Sequence, residues 1–306
     1  MAGTFFVYSD KPAIALELVS FAVAAGKRAC ALALDPDTAQ TLARGGADRI
    51  LVLKGAGDLP EAYARAISEV LTREGAEAFL VGATVRGREL AAKVAGYLAW
   101  PMISDVSSLR YEEGALVTER LMYGGAVVQQ EKVGLPAVVT VPAGKFEPLS
   151  AQEKQAETVT VEVQADARVS LLDRAPLEKQ GVDLSAAEKI VCVGMGLAKK
   201  EDLKLAEDLA RVLGAEIGCS RGVAEERKWL PTDVYIGISG ATVKPRLYLS
   251  LGVSGQVQHV VGIRDAKLIV AVDINENAPI FRAADYGIVG DLYEVVPLLT
   301  EALKNA

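Results

Sequence analysis

Leu247-Tyr248-Leu249-Ser250-Leu251-Gly252-Val253-Ser254-Gly255-Gln256-Val257-Gln258-His259 is the stretch that decides the fold. Leu247–Leu251 is a short apolar run, the pattern of a strand buried on both faces. Gly252 permits a sharp turn. Ser254 is a good N-cap, and Ser254–Gly262 has the spacing of a short helix. A strand, a Gly-Ser turn and a helix N-terminus form an anion site, because the first-turn N–H groups and the helix dipole point at the turn. His259, the one histidine of the chain, shares this loop and could donate to an anionic acceptor.

The same alternation extends in both directions. Lys189–Val193, Ala215–Cys219, Val234–Ile238, Leu268–Val272 and Gly287–Val289 read as further strands. Lys199–Leu213, with Gly214 as its C-cap, and Asp291–Leu303 read as helices. In the first half, Thr4–Ser9, Ala29–Leu34 (ended by Asp35-Pro36), Arg49–Leu53 and Ala78–Val81 have strand character. Lys11–Ala25, Pro60–Glu74 and Gly87–Trp100 have helical spacing, with Asp10 as the N-cap candidate of the first. Ala115–Met122, Ala126–Gln130, Ala137–Val141 and Thr158–Val163 then predict extra, partly antiparallel strands on the same domain. Residues 165–188 are polar, are punctuated by Pro176 and Gly181, and have no sustained period, as an interdomain linker would. The expected fold is therefore α/β: two Rossmann-like parallel-sheet domains, over about 1–183 and 184–306.

A chain of 306 residues fits two domains. It is 51% hydrophobic and 24% charged, which gives ample core for a globular protein. With a net charge of −7 and no continuous basic stretch, nucleic acid and anionic membranes are not expected partners. No apolar run approaches the ~20 residues of a membrane span. The start, Met1-Ala2-Gly3-Thr4-Phe5-Phe6-Val7-Tyr8, reads as a first strand rather than a signal peptide, so a cytoplasmic location is expected. Cys30, Cys192 and Cys219 form no CxxC pair and suit buried structural positions, and no metal site is indicated. A Ser-His-Asp triad would have to use His259, yet no GxSxG elbow precedes it.

Several turns after strands could carry ligand chemistry. Gly194-Met195-Gly196 could bring backbone N–H groups to a phosphate, but its third fingerprint glycine is replaced by Lys199, and a plain strand-to-helix turn fits equally. Ser220-Arg221 follows a strand, where open α/β sheets bind ligands, and arginine is a fixed cation suited to phosphate or an anionic flavin. Gly237-Ile238-Ser239-Gly240 offers a close backbone approach and a hydroxyl donor, or a simple turn. Asp273 ends another strand and could take ribose hydroxyls or an adenine amino group; Asp291 could do the same or cap the last helix.

Taken together, the pieces LYxxxGxSGxxQHxxG, IVAxxxxxxAPIF and ADYGIVxD within Leu247–Pro297 resemble the alpha subunit of electron transfer flavoprotein. A looser similarity extends to Ile103–Val106 and Arg120–Gly125. The resemblance implies one FAD in the second domain and a first domain that pairs with a beta subunit to form a heterodimer. It implies that Ser220 and Arg221 form a pair whose arginine lies against the flavin ring, that the Ser239 hydroxyl lies near N5, and that Ile238 also contacts the cofactor. Ser254, Gly255, Gln256, Val257, Gln258 and His259 would follow the phosphates, ribityl chain and flavin O2. Asp291 would lie toward the adenine end, and Asp273 and Leu292 are further expected cofactor contacts. Met195, Ile238, Ser239 and Asp273 depart from common family residues, Ser239 keeping the hydroxyl. The implied activity is electron transfer from flavin dehydrogenases to a quinone-linked oxidoreductase. Some members instead oxidise NADH and bifurcate electrons. Alternatives that the residues leave open are a NAD-dependent dehydrogenase built on Gly194–Gly196 and a non-redox adenine-nucleotide module.

Overall fold

The computed structural model describes residues 3–55, 59–150, 156–175 and 182–305. Met1, Ala2, Pro176 and Gly181, used above, lie outside the described residues. The chain divides into two units, Met1–Arg174 and Ala175–Ala306.

The first unit contains β1 (Thr4–Tyr8), α1 (Pro12–Ala24), β2 (Arg28–Ala33), α2 (Pro36–Arg44), β3 (Arg49–Lys54), α3 (Ala64–Arg73), β4 (Ala76–Gly82) and α4 (Val85–Leu98). It continues with β5 (Met102–Ile103), β6 (Ser108–Glu112), β7 (Ala115–Met122), β8 (Val127–Gly134), β9 (Ala137–Val141) and β10 (Glu157–Glu162). Seven strands form a sheet in the order β10-β3-β2-β1-β4-β9-β5, and every pairing in it is parallel. Side chains alternate along β1, so Phe5 and Val7 join Leu18, Val19 and Ala22 of α1 on one face. Phe6 and Tyr8 join Ile67 of α3 and Leu90 and Val94 of α4 on the other. Burial on both faces explains the near-continuous apolar runs of these strands.

The structure corrects several expectations here. Ala137–Val141 and the Thr158–Val163 region are parallel members of the main sheet rather than additions to it. Among the described residues, only β6, β7 and β8 form a separate antiparallel sheet. The helix α2 was not anticipated. Pro36 reads as a strand stop, yet it occupies the first turn of α2 while the Asp35 carboxylate accepts from the Thr38 N–H at 2.8 Å. Asp10 does not cap α1. Lys11 holds that position without a side-chain bond, and Asp10 instead accepts from the Thr84 hydroxyl. Gly87–Trp100 shifts to Val85–Leu98 because Thr84 caps the helix, accepting from the Gly87 N–H at 2.9 Å.

The second unit contains β11 (Lys189–Val193), α5 (Leu203–Leu213), β12 (Glu216–Cys219), β13 (Leu247–Leu251), α6 (Val257–Val260), β14 (Ile269–Asp273), β15 (Tyr286–Val289) and α7 (Leu292–Lys304). Its sheet is parallel, in the order β12-β11-β13-β14-β15. Ile190, Val191, Leu249 and Val272 of the strands pack with Leu209 of α5 and Val296 of α7. The strand expected over Val234–Ile238 is not a ladder. It makes only single bridges, Cys219 to Tyr235 and Ile236 to Ala241. The order reverses between β11 and β13, and at such a switch point adjacent crossovers leave in opposite directions and open a crevice. Among the described residues, no helix is long and apolar enough to cross a membrane.

Candidate functional site

A cleft of about 840 Å³ opens at the C-terminal ends of β11 to β14. Met195 and Gly196 enter it after β11, Ser220 and Arg221 after β12, Gly252 to Gln256 after β13, and Asp273 ends β14. The irregular segment after Tyr235 adds Gly237, Ile238 and Ser239. The Ile238 N–H donates to the Gln258 carbonyl at 2.9 Å, which ties that segment to the loop carrying His259. The sheet therefore gathers into one place residues that lie on four separate turns.

Of the site residues expected from sequence, Ser220, Arg221, Ile238, Ser239, Ser254, Gly255, Gln256, Gln258, His259 and Asp273 line this cleft. Val257, Asp291 and Leu292 are not among its lining residues. Asp291 caps α7, its carboxylate accepting from the Tyr293 N–H at 2.8 Å. Leu292 is buried in the core of the second unit. Asp273 takes the Asn275 N–H on its carboxylate at 2.9 Å, so part of its acceptor capacity is held by its own turn.

Two expectations about backbone donors change. The Gly194 N–H donates to the Leu251 carbonyl at 2.9 Å and the Gly196 N–H to the Gly252 carbonyl at 3.0 Å. These donors hold two turns together and are not offered to a phosphate. The approach is so close that a Cβ on Gly194 would lie 2.0 Å from the Gly252 oxygen. Ser254 does not cap a helix: α6 begins at Val257 and is a single turn, with Gln256 at the cap and no side-chain bond. So short a helix has little dipole, and the loop acts through its shape and side chains.

Three polar features define the chemistry. Ser220 Oγ is buried without a hydrogen-bond partner. His259 is 7% exposed; its Nδ1 makes no hydrogen bond of good geometry, although the Ile236 backbone acts on the ring, while Nε2 lies 2.7 Å from the Tyr248 hydroxyl. Burial lowers the pKa of His259 from 6.5 to about 4, with the Ile236 backbone opposing the shift, so the ring is neutral at pH 7. Arg221 is 68% exposed, and its Nε donates to Glu225 at 2.6 Å. Glu225 raises the arginine's pKa and tempers its field. Glu225 was missed from sequence. The available signal was its i, i+4 spacing from Arg221, realised here because Gly222–Glu226 forms a helical turn. Arg227 stacks on Trp229 at 4.4 Å and donates to the Met195 and Leu197 carbonyls, so its cation is committed to the turn after β11.

A parallel α/β domain with glycine turns and a wide polar cleft at its switch point defines a nucleotide-cofactor-binding protein. Comparison with known proteins identifies the cofactor. Residues 183–264 match the electron transfer flavoprotein FAD-binding domain, and residues 12–167 match the electron transfer flavoprotein domain. YdiR of Escherichia coli (strain K12) is 40% identical over 308 residues, covering 99% of both chains. Protein FixB of Escherichia coli O157:H7 is 39% identical over 308 residues, covering 98% of both. Protein FixB of Salmonella paratyphi A is 38% identical over 313 residues, covering 99% of both. The chain belongs to the electron transfer flavoprotein family, as an alpha-type subunit whose C-terminal domain binds FAD. The cleft suits that group: it has dinucleotide-scale room and turns that admit close approach. It also presents two buried polar atoms, Ser220 Oγ and His259 Nδ1, that the protein itself leaves without a well-formed hydrogen bond.

Proposed function

We propose that this chain is the FAD-carrying half of a heterodimer that relays electrons from flavin dehydrogenases to a quinone-linked oxidoreductase. The first unit would pair with a beta subunit. The observation that supports this most is the cleft itself, where the buried Ser220 hydroxyl, His259 and the exposed Arg221 cation surround space for a flavin. FAD, when bound, supplies reversible electron uptake. The protein's part is to bind, orient and bias it.

Ser220 and Ser239 would donate hydroxyl hydrogen bonds to the ring on the Arg221 side. His259 would donate from Nδ1 to the O2 edge, where negative charge collects on reduction. Ser254, Gly255, Gln256, Val257 and Gln258 would follow the ribityl and phosphate groups. Asp273, Asp291 and Leu292 would stand toward the adenine end, Asp291 while also capping α7. The dehydrogenase alternative is weakened because Gly194 and Gly196 have their N–H groups already donated.

Co-expression with a beta-type partner tests the reading. The expected product is a yellow heterodimer with one FAD that a flavin dehydrogenase reduces and a quinone-linked oxidoreductase reoxidises. A second FAD together with NADH oxidation would place the complex among bifurcating members. A colourless heterodimer that binds NAD or AMP would overturn the proposal.

A further inference from the structure

His259 is held from behind by two residues that the cleft does not display. Tyr248 on β13 places its hydroxyl 2.7 Å from His259 Nε2. Cys192 on the neighbouring strand β11 places Sγ 4.0 Å from the same nitrogen. Tyr248 and Cys192 are 0% exposed. His259 also lines the cleft, and its Nδ1 is buried without a well-formed hydrogen bond, although the Ile236 backbone acts on the ring.

A neutral imidazole carries one N–H, and the hydrogen bond made by one nitrogen decides which nitrogen bears it. Two arrangements fit these distances. In the first, the Tyr248 O–H donates to Nε2, and the proton sits on Nδ1. In the second, Nε2–H donates to the Tyr248 oxygen. The phenol proton must then go to the Cys192 sulfur, a weak acceptor, or stay unpaired in a dry core. The first arrangement makes a strong O–H···N bond and leaves only the weak thiol donor poorly used. The second exchanges that bond for a poorer set. In the second arrangement the phenol proton has only the sulfur, a far weaker acceptor than an imidazole nitrogen, which favours the first.

We infer that Tyr248 is a positioning residue that fixes His259 as the Nδ1–H tautomer. The inference deepens the proposed function and rests on it for the identity of the acceptor. The tautomer itself rests only on Tyr248, His259 and Cys192. A wild-type ring with the proton on Nδ1 makes His259 a donor without any positive charge.

The chain's single histidine makes the test direct. This chain is labelled with ¹⁵N-histidine, combined with its unlabelled partner and FAD, and a long-range ¹H–¹⁵N spectrum is recorded at pH 7. The wild type is expected to show a protonated Nδ1 and an unprotonated Nε2. Tyr248→Phe, in the FAD-free protein, is expected to lose that pattern and populate Nε2–H, whereas Cys192→Ala should keep the wild-type pattern. A wild-type ring protonated on Nε2 overturns the inference even if Tyr248→Phe fails to fold. So does a Tyr248→Phe spectrum identical to the wild type. Comparing FAD-loaded with FAD-free protein separates the two layers. An unmoved Nδ1 signal removes His259 from the flavin contacts and leaves the tautomer result standing.

Discussion

Gly255→Ala is expected to yield a heterodimer that is largely colourless. Gly255 has φ +79°, and a Cβ there would lie 2.3 Å from the Ile280 nitrogen and 2.4 Å from its Cα. Ile280 cannot retreat. It is 0% exposed in the core of the second unit, and its N–H donates to the Ser254 carbonyl at 3.0 Å. The left-handed conformation costs a non-glycine residue about 1–2 kcal/mol, and overpacking a rigid site adds about 1–3 kcal/mol. The loop must therefore move away from Ile280, toward the cleft it lines. If about 2–5 kcal/mol falls on the cofactor-bound geometry, FAD affinity drops by roughly 30-fold or more. Equilibrium dialysis or the flavin absorbance of the purified complex measures this. Full occupancy in Gly255→Ala would show that the loop is not a wall of the FAD site.

The second large effect is a pH dependence of stability. His259 has a pKa of about 4 in the folded protein against 6.5 for an ordinary histidine, because burial disfavours its charged form. Below about pH 6.5 the unfolded chain takes up a proton that the folded chain refuses until about pH 4. Stability from this group is thus complete above pH 6.5 and is lost as pH falls toward 4, about 3 kcal/mol in all by linkage. Between pH 7 and 5 the loss is about 2 kcal/mol. In urea titrations of the full chain without FAD, the wild type should lose that much more stability than His259→Gln over the same interval. The carboxylates titrate alike in both and cancel. Equal losses in the two proteins would mean that His259 is not desolvated.

Much of this was legible in the sequence, for reasons that particular residues make plain. Ile190-Val191-Cys192-Val193 and Leu247–Leu251 read as strands because a parallel strand covered on both faces has no polar alternation to hide it. Arg221 and His259 reach the cleft because each lies just after a strand or on the loop that follows one, and a parallel sheet delivers such positions to one edge; Ser239 reaches it from the irregular segment after Tyr235. The errors also have physical causes. Ser254 looked like a cap, but the left-handed turn at Gly255 delays the helix to Val257. Pro36 looked like an end, although proline begins a helix as readily as it stops a strand. Val234–Ile238 is apolar enough for a strand, but its backbone turns after single bridges. Tyr248 was invisible as a functional residue, since a tyrosine within a buried strand reads only as core. Its hydroxyl matters because the fold brings His259, eleven residues on, back against it.

The midpoint potential of the first electron reports whether the isoalloxazine ring lies between Arg221 and His259. A cation near the ring favours the more negative, reduced form and raises the potential; the carboxylate paired with it opposes that field. Glu225 lies 2.6 Å from Arg221 and lines the same cleft, so the two groups make predictions of opposite sign. Potentiometric titration of the FAD-loaded heterodimer should give a lower first-electron potential for Arg221→Ala and a higher one for Glu225→Gln than for the wild type. Potentials unchanged in both variants, with FAD still bound, would place the flavin elsewhere and contradict the account.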